Sequence, residues 1–546
     1  MLKNHPRGLL VLFFTEMWER FGYYLMLGIL FLYMTDMDAG GLALGDATAA
    51  DIMGTYLALV YLTPFFGGLL ADRILGYRLA VFIGGGMMAL GYLGLAIPGK
   101  TAFWIALLVI IVGNGFFKPN MSTLVGNLYA KDRYKNLKDS GYNIFYMGIN
   151  IGAFICNFVA AYLRNNYGWG YAFAAAGIGM IIGIIWFATG QAKLKEADVR
   201  KPVQKEDMPL GRIFKLILLP MLIFGAIGWF IPGTILGRNS TDAFLLASLP
   251  IIGFYISLWL RASERDKEPI AALLFIFVAA IVFWAIFHQN ATALTLWAED
   301  YTNREIPEKV VPVAETFGMV QEVESPRPAP SDDITKIPEE ITDPDMEIEE
   351  STKRDNYFWN VPKEEWPPAG QSKKLISTEI FQSVNPFFVV IFTPLVVAFY
   401  GWLRRRNKEP STPGKIGWGL VITAVSTIIM MGAVFASQNG MERSSPAWLI
   451  ASYGVITIGE LFLSPMGLSL VSKLSPSRLT ALMMGGWFLS TSLGNKLSGV
   501  LASLWHTYDH KAWYFAVNFA GAMFAALIIF VMIKWLRRVV AEHINE

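Results

Sequence analysis

Two acids and an arginine stand together inside an apolar run near the start of the chain, in Glu16-Met17-Trp18-Glu19-Arg20-Phe21-Gly22-Tyr23-Tyr24. Carboxylates can take up and release a proton, and a guanidinium can hold an anion. At ~100° per residue, Glu16, Glu19, Arg20, Tyr23 and Tyr24 occupy one sector of a helix, roughly 140° wide. All five side chains therefore point the same way. Charges at bilayer depth are costly and persist mainly where they pair inside a bundle or line a substrate or proton path. A structural ion cluster joining two helices is the alternative that the residues leave open.

More charges sit equally deep. Lys118 lies within Gly113-Asn114-Gly115-Phe116-Phe117-Lys118-Pro119-Asn120, with Asn114 and Ser122 on its face. Glu460 shares a stripe with Thr457 and Ser464, and Lys496 follows Ser490, Thr491 and Asn495. Asn385 precedes the helix-breaking Pro386. His288 is the one histidine clearly inside an apolar run, with Thr292 and Thr295 on its face. Histidine changes charge near neutral pH, so a titrating role and a neutral hydrogen-bonded role both remain open. Three acids (Glu16, Glu19, Glu460) balance three bases (Arg20, Lys118, Lys496), so each can be paired at rest. Burial raises the pKa of an unpaired carboxyl and a nearby arginine lowers it. Protonation of an acid beside Arg20 and binding of an anion to Arg20 therefore favour each other, a reciprocal coupling.

The elements that must hold these groups follow from composition. The chain has 546 residues, 54% apolar and 16% charged, where a soluble protein usually carries about a quarter charged residues. Runs long enough to cross a bilayer as helices are expected at 9–34, 50–71, 78–98, 102–128, 141–163 and 169–190, and again at 271–297, 377–403, 416–437, 447–471, 480–504 and 512–536. Two more, 211–232 and 243–260, lie between the sets, giving fourteen spans. With a cytoplasmic amino terminus the inner loops hold the basic residues, among them Arg7, Arg73, Arg78, Lys193, Arg404 to Arg406, Arg537 and Arg538. The opposite loops, such as Asp36 to Asp51, are acidic or sparsely charged. Both termini are then cytoplasmic, and the compact loops suggest a bacterial inner membrane.

The expected divisions are 1–190 for a first six-helix bundle, 191–270 for a linker with two extra spans, and 271–297 for the first helix of a second bundle. An acidic, proline-rich insertion at 298–376 follows on the outer side, and 377–546 completes the second bundle. The insertion should be extended or loosely ordered. Its Tyr357-Phe358-Trp359 with Trp366 could instead cap the outer surface locally. A net charge of +2 gives no indication of nucleic-acid binding. The single Cys156 excludes an intrachain disulfide. No nucleophile–base constellation, metal-ligand spacing or phosphate loop is present, so no enzyme, metal or cofactor is implied. No obligate protein partner is evident beyond the lipid bilayer.

The first motif resembles the ExxERFxYY signature of proton-coupled oligopeptide transporters, a branch of the major facilitator superfamily. Phe145-Tyr146-Met147-Gly148-Ile149-Asn150-Ile151-Gly152 resembles the family's FYxxINxG signature. Tyr146 and Asn150, one turn apart, can hydrogen-bond a substrate backbone, although the glycines serve helix packing equally well. Asp72-Arg73-Ile74-Leu75-Gly76-Tyr77-Arg78, with Gly67 and Gly68, resembles the superfamily's cytoplasmic loop motif. The resemblance implies an all-helical major facilitator fold, two six-helix bundles plus the central hairpin. It implies import of di- and tripeptides with protons by alternating access, the coupling ion being H+. Proton coupling would fall to Glu16, Glu19, Arg20 and, as this chain's own hypothesis, His288. Lys118 with Arg20 nearby would hold the peptide carboxylate and Glu460 the amino end. Tyr23, Tyr24, Tyr61, Asn150 and Asn385 would contact the rest, while Trp487 and Ser490 shape the pocket. Two positions depart from the family. Leu27 replaces an arginine and His288 falls where an acid is usual, so the outer gate must close differently. Transport of nitrate or another small anion, or a peptide-sensing receptor, are the alternatives.

Overall fold

The computed structural model describes residues 5–37, 40–129, 134, 137–199, 209–325, 357–360, 366–368, 371–476 and 479–544. Fourteen main helices succeed one another among the described residues. The first six are α1 (Gly8–Thr35), α2 (Asp46–Leu70), α3 (Tyr77–Leu95), α4 (Lys100–Leu128), α5 (Lys138–Tyr167) and α6 (Trp169–Gly190). A hairpin follows, α7 (Leu219–Phe230) and α8 (Asn239–Leu260). The second set is α9 (Glu264–Phe287), α10 (Val384–Arg405), α11 (Thr412–Ala436), α12 (Pro446–Leu474), α13 (Thr480–Ser503) and α14 (Lys511–Val531). Twelve helices among the described residues are long and apolar enough to cross a membrane. The other two of spanning length, α1 and α13, are the ones that carry Glu16, Glu19 and Arg20 and Lys496. Their length comes from the same constraint, since in hydrocarbon a backbone must satisfy its own N–H and C=O groups.

Helices α1 to α6 pack on one another, as do α9 and α11 to α14, while α10 leans on α12 and α5. Between the bundles α2 lies along α13, and α5 meets α10. The hairpin sits outside, with α8 touching α2, α9 and α13. One end of the molecule, here the terminal end, carries the start of α1 and the last helix α15 (Ile533–Ile544). Helix α15 lays Leu536 and Val539 against the second bundle and pairs Arg538 with Glu268 at 2.8 Å. At this end Glu409 bridges Arg404 (2.6 Å) and Lys415 (2.7 Å), and these partners hold its carboxyl down at about 2. The opposite, distal end carries the α1–α2 connection.

Small residues set the helix spacing inside the first bundle. A side chain on Gly67 of α2 would sit 2.0 Å from the Gly115 carbonyl oxygen of α4, so the two backbones touch. Asn114 then donates to the Val60 carbonyl at 2.8 Å and Thr63 to that of Ile111 at 2.9 Å. Gly67→Val should therefore cost roughly 3 kcal/mol or more, since overpacking displaces backbone. Melting of the purified protein checks this, with Gly86→Val as control, because nothing lies within 4 Å of a side chain placed at Gly86.

Two expectations change. The run at 271–297 is not one continuous helix. Helix α9 starts at Glu264, stops at Phe287, and gives way to a tight turn His288–Ala291 and a kink at Thr292 (φ −135°, ψ −93°). The polar sequence His288-Gln289-Asn290 turns its amides to other work: Gln289 bonds Asn518 and Tyr514 of α14. The flanks of the insertion are also more ordered than composition suggests. Strands β1 (Val320–Glu324) and β2 (Ser372–Ile376) pair antiparallel, Val320 opposite Ile376. Leu375 of β2 is buried in one cluster with Tyr357 and Phe358, with Val323 of β1 and Trp366 packed against it. Arg304 bonds Gln321 and the Ile376 carbonyl, and Arg443 stacks on the Tyr357 ring at 3.6 Å. Enough apolar side chains remain in the flanks to seed a small cap; residues 326–356 lie outside the described residues.

Candidate functional site

The α1 motif forms a buried charge cluster in the first bundle. The Arg20 guanidinium forks onto Glu19, Nη2 to Oε1 at 2.6 Å and Nε onto Oε2, and Glu16 Oε1 stands 3.4 Å from its Nε. Glu19 is fully buried, Arg20 and Glu16 nearly so. The guanidinium also faces the rings of Tyr23 (4.8 Å) and Tyr24 (5.9 Å). A bidentate carboxylate satisfies Arg20, whereas Glu16 keeps Oε2 buried with no hydrogen bond among the described residues. In a dry interior such an oxygen is an unspent acceptor.

Across from α1, Lys118 of α4 places Nζ 3.7 Å from the centre of the Tyr61 ring of α2. No acid pairs with it among the described residues, though Arg20, Glu19 and Glu16 lie within electrostatic reach. The second bundle contributes the opposite sign. Asn385 of α10 donates to Glu460 Oε2 at 3.2 Å and to Thr457 Oγ1 at 2.8 Å, both on α12. No base pairs with Glu460 among the described residues, yet its charge reaches Tyr24 and Tyr61 of the other bundle. Lys118 of the first bundle and Glu460 of the second are thus one cation and one anion, neither in an ion pair among the described residues.

His288 caps the broken end of α9, with Tyr61 at 6.0 Å, Trp284 at 5.1 Å and Phe287 at 5.3 Å between ring centres. Lys118 is the charge within its reach. Tyr146 of α5 lies within reach of Glu16. Asn150 donates to the Tyr146 carbonyl (2.9 Å) and Ser490 to that of Gly486 (2.9 Å), so these two donors are used inside their own helices. The Trp487 indole is wedged against Gly467 of α12, where a side chain would lie 1.9 Å from it. The structure therefore gathers Glu16, Glu19, Arg20, Tyr23, Tyr24, Tyr61, Lys118, His288, Asn385 and Glu460, and sets Trp487 in helix packing.

Lys496 does not join this group. Its Nζ lies 2.6 Å from Asp51 Oδ1. Sequence reading placed Asp51 among loop acids; it belongs to the first turns of α2. The signal was available, because a buried lysine requires a countercharge. Tyr56 and Tyr92 were also missed. Both are buried near Glu19 and Arg20 with hydroxyls that have no partner among the described residues, and no motif distinguishes them from core tyrosines.

Two six-helix bundles with ionisable side chains set inside apolar helices fit the architecture of a membrane transporter. The family model described as the POT family matches residues 78–321 and 373–521. The chain is 31% identical to the uncharacterized transporter YclF of Bacillus subtilis over 535 residues, 96% of this chain and 93% of that one. It is 31% identical to a di-/tripeptide transporter of Lactococcus lactis subsp. cremoris, covering 97% and 96%. Among solved structures, a POT family transporter in complex with 5-aminolevulinic acid superposes with a TM-score of 0.77 at 26% identity, over 98% of each chain. The chain belongs to the POT family, and its fold is the major facilitator fold with a central hairpin.

Proposed function

We propose that this protein is a proton-coupled symporter that imports di- and tripeptides by alternating access of its two bundles. One observation carries the reading: Lys118 in the first bundle and Glu460 in the second are of opposite sign, and neither forms an ion pair among the described residues. Both are half-buried, and a charge held away from water without a partner is costly, so a site holding one of each awaits a ligand that supplies both countercharges. A free peptide does, with a carboxylate at one end and an ammonium at the other, ~7 Å apart in an extended dipeptide and ~10 Å in a tripeptide. Tyr23, Tyr24, Tyr61 and Asn385 then flank its backbone, with Tyr146 and Asn150 beyond. The relatives' printed substrates have this chemistry, and 5-aminolevulinic acid also carries an amine and a carboxylate.

The proton follows from charge balance. With Lys496 occupied by Asp51, the centre keeps three acids, Glu16, Glu19 and Glu460, against two bases, Arg20 and Lys118. A zwitterion leaves that excess of one negative charge untouched, whereas a proton cancels it. Glu16, with its unspent Oε2, is its receiver; Glu19 is committed to Arg20. His288, ringed by aromatic side chains and with a lysine as the charge in reach, serves as a neutral wall in this account rather than as the carrier. The basic terminal end is cytoplasmic and the distal end external in a cell membrane; the relatives named above are bacterial.

Binding tests the recognition step. Dialanine should raise the melting temperature of the purified protein, and N-acetyl-dialanine or dialanine amide should not. Equal shifts from all three would remove the two-ended charge recognition, and a shift from nitrate alone would favour the small-anion reading.

A further inference from the structure

The distal end is shut by contacts that tie three units together. Two ion pairs join the bundles there: Arg164 of α5 to Glu379 ahead of α10 at 2.8 Å, and Asp51 of α2 to Lys496 of α13, with Lys496 fully buried and Asp51 nearly so. The backbones touch beside the Asp51–Lys496 pair, since a side chain on Gly54 would lie 2.7 Å from Gly499 Cα. Asn495 and Ser492 of α13 donate to the Leu57 and Ala58 carbonyls of α2. No ion pair joins α1 to α9 among the described residues, so this pair has no counterpart there.

The first turn of hairpin helix α8 completes the pair. Ser240 donates to Asp51 Oδ2, Thr241 donates to Asp51 Oδ1 at 3.1 Å, and Lys496 reaches Ser240 Oγ at 3.4 Å. Arg238, just before α8, donates to Thr48 of α2 at 3.1 Å. Lower down, the Tyr255 hydroxyl of the same helix donates to the Leu482 carbonyl of α13 at 2.6 Å. The hairpin therefore holds one bundle by Asp51 and the other by Leu482.

We propose that the hairpin is a working part of the distal gate: Ser240 and Thr241 complete the Asp51–Lys496 lock and hold the distal end closed. When the bundles part, Asp51 and Lys496 must separate. In the closed state Asp51 is charge-neutralised by Lys496 and accepts hydrogen bonds from three side chains, Lys496, Ser240 and Thr241, while Lys496 also donates to Thr55 at 2.7 Å. Hydrogen bonds to a charge are the stronger kind, so removing them biases the equilibrium toward opening.

The proposal rests on the alternating-access reading, and its test needs no substrate. Spin labels at Gly45 and Leu504, on distal surfaces of the two bundles, would report the opening by pulsed dipolar spectroscopy in a Cys156→Ala background. Ser240→Ala/Thr241→Val should raise the open population about tenfold, and Lys496→Met with Asp51→Asn should raise it further. Uptake by the hairpin variant should show maximal rate and KM changing together, since a shifted open population changes the fraction of protein competent to bind. If the Asp51/Lys496 variant opens the distal end and the hairpin variant does not, the hairpin is a passive cover and the proposal fails. If neither moves the distances, the lock is elsewhere and the proposal fails, while peptide uptake by the unmodified protein would leave the transport reading standing.

Discussion

Glu16→Gln is expected to abolish uphill peptide uptake while leaving counterflow exchange within about threefold of the parent rate. The substitution keeps size and hydrogen-bonding shape but removes a centre carboxylate with a buried oxygen that has no hydrogen bond among the described residues. Arg20 stays satisfied, because its bidentate partner is Glu19. The central charge sum is then neutral permanently, as though the proton never left. Coupling is a difference in proton affinity between states, so a group that cannot titrate contributes none of it. Accumulation driven by a proton gradient should fall to equilibration. Full uphill uptake by Glu16→Gln would move the proton site elsewhere, and loss of counterflow as well would make Glu16 a part of the substrate site.

Lys118 and Glu460 give the second large effect, read as a change in specificity. Lys118→Ala should weaken dialanine about 10- to 150-fold, corresponding to roughly 1.5–3 kcal/mol for a hydrogen bond to a charged group. The same variant should stop distinguishing dialanine from its amide, because the carboxylate no longer has a partner. Glu460→Gln should lose the complementary distinction, between dialanine and its N-acetyl form, with Asn385 and Thr457 still bonded to each other. Competition against labelled dipeptide uptake measures all four ratios. A uniform loss across blocked and free peptides would mean that the residues support the fold and do not read the ends.

Legibility in the sequence was uneven for physical reasons. Apolar runs bounded by polar loops placed the spans, because a bilayer permits few solutions, and the charged sector of α1 was visible as an exception to that rule. Packing was not visible. Trp487 and Ser490 sit where a pocket wall could be, but only the approach of α12 shows that the indole fills the space over Gly467. Lys496 was grouped with the central charges because sequence gives depth along a helix and not the neighbour; its partner Asp51 comes from 445 positions away. The break in α9 at His288 was equally hidden. It depends on Gln289 finding Asn518 and Tyr514 on α14.

The central claim is that peptide and proton move together, and uptake into proteoliposomes tests it most directly. Labelled dialanine should accumulate above equilibrium when an inward proton gradient is imposed, and a protonophore should collapse that accumulation to the level seen without a gradient. Movement of dialanine that is indifferent to the gradient, or none at all from protein that melts cooperatively, would contradict the account.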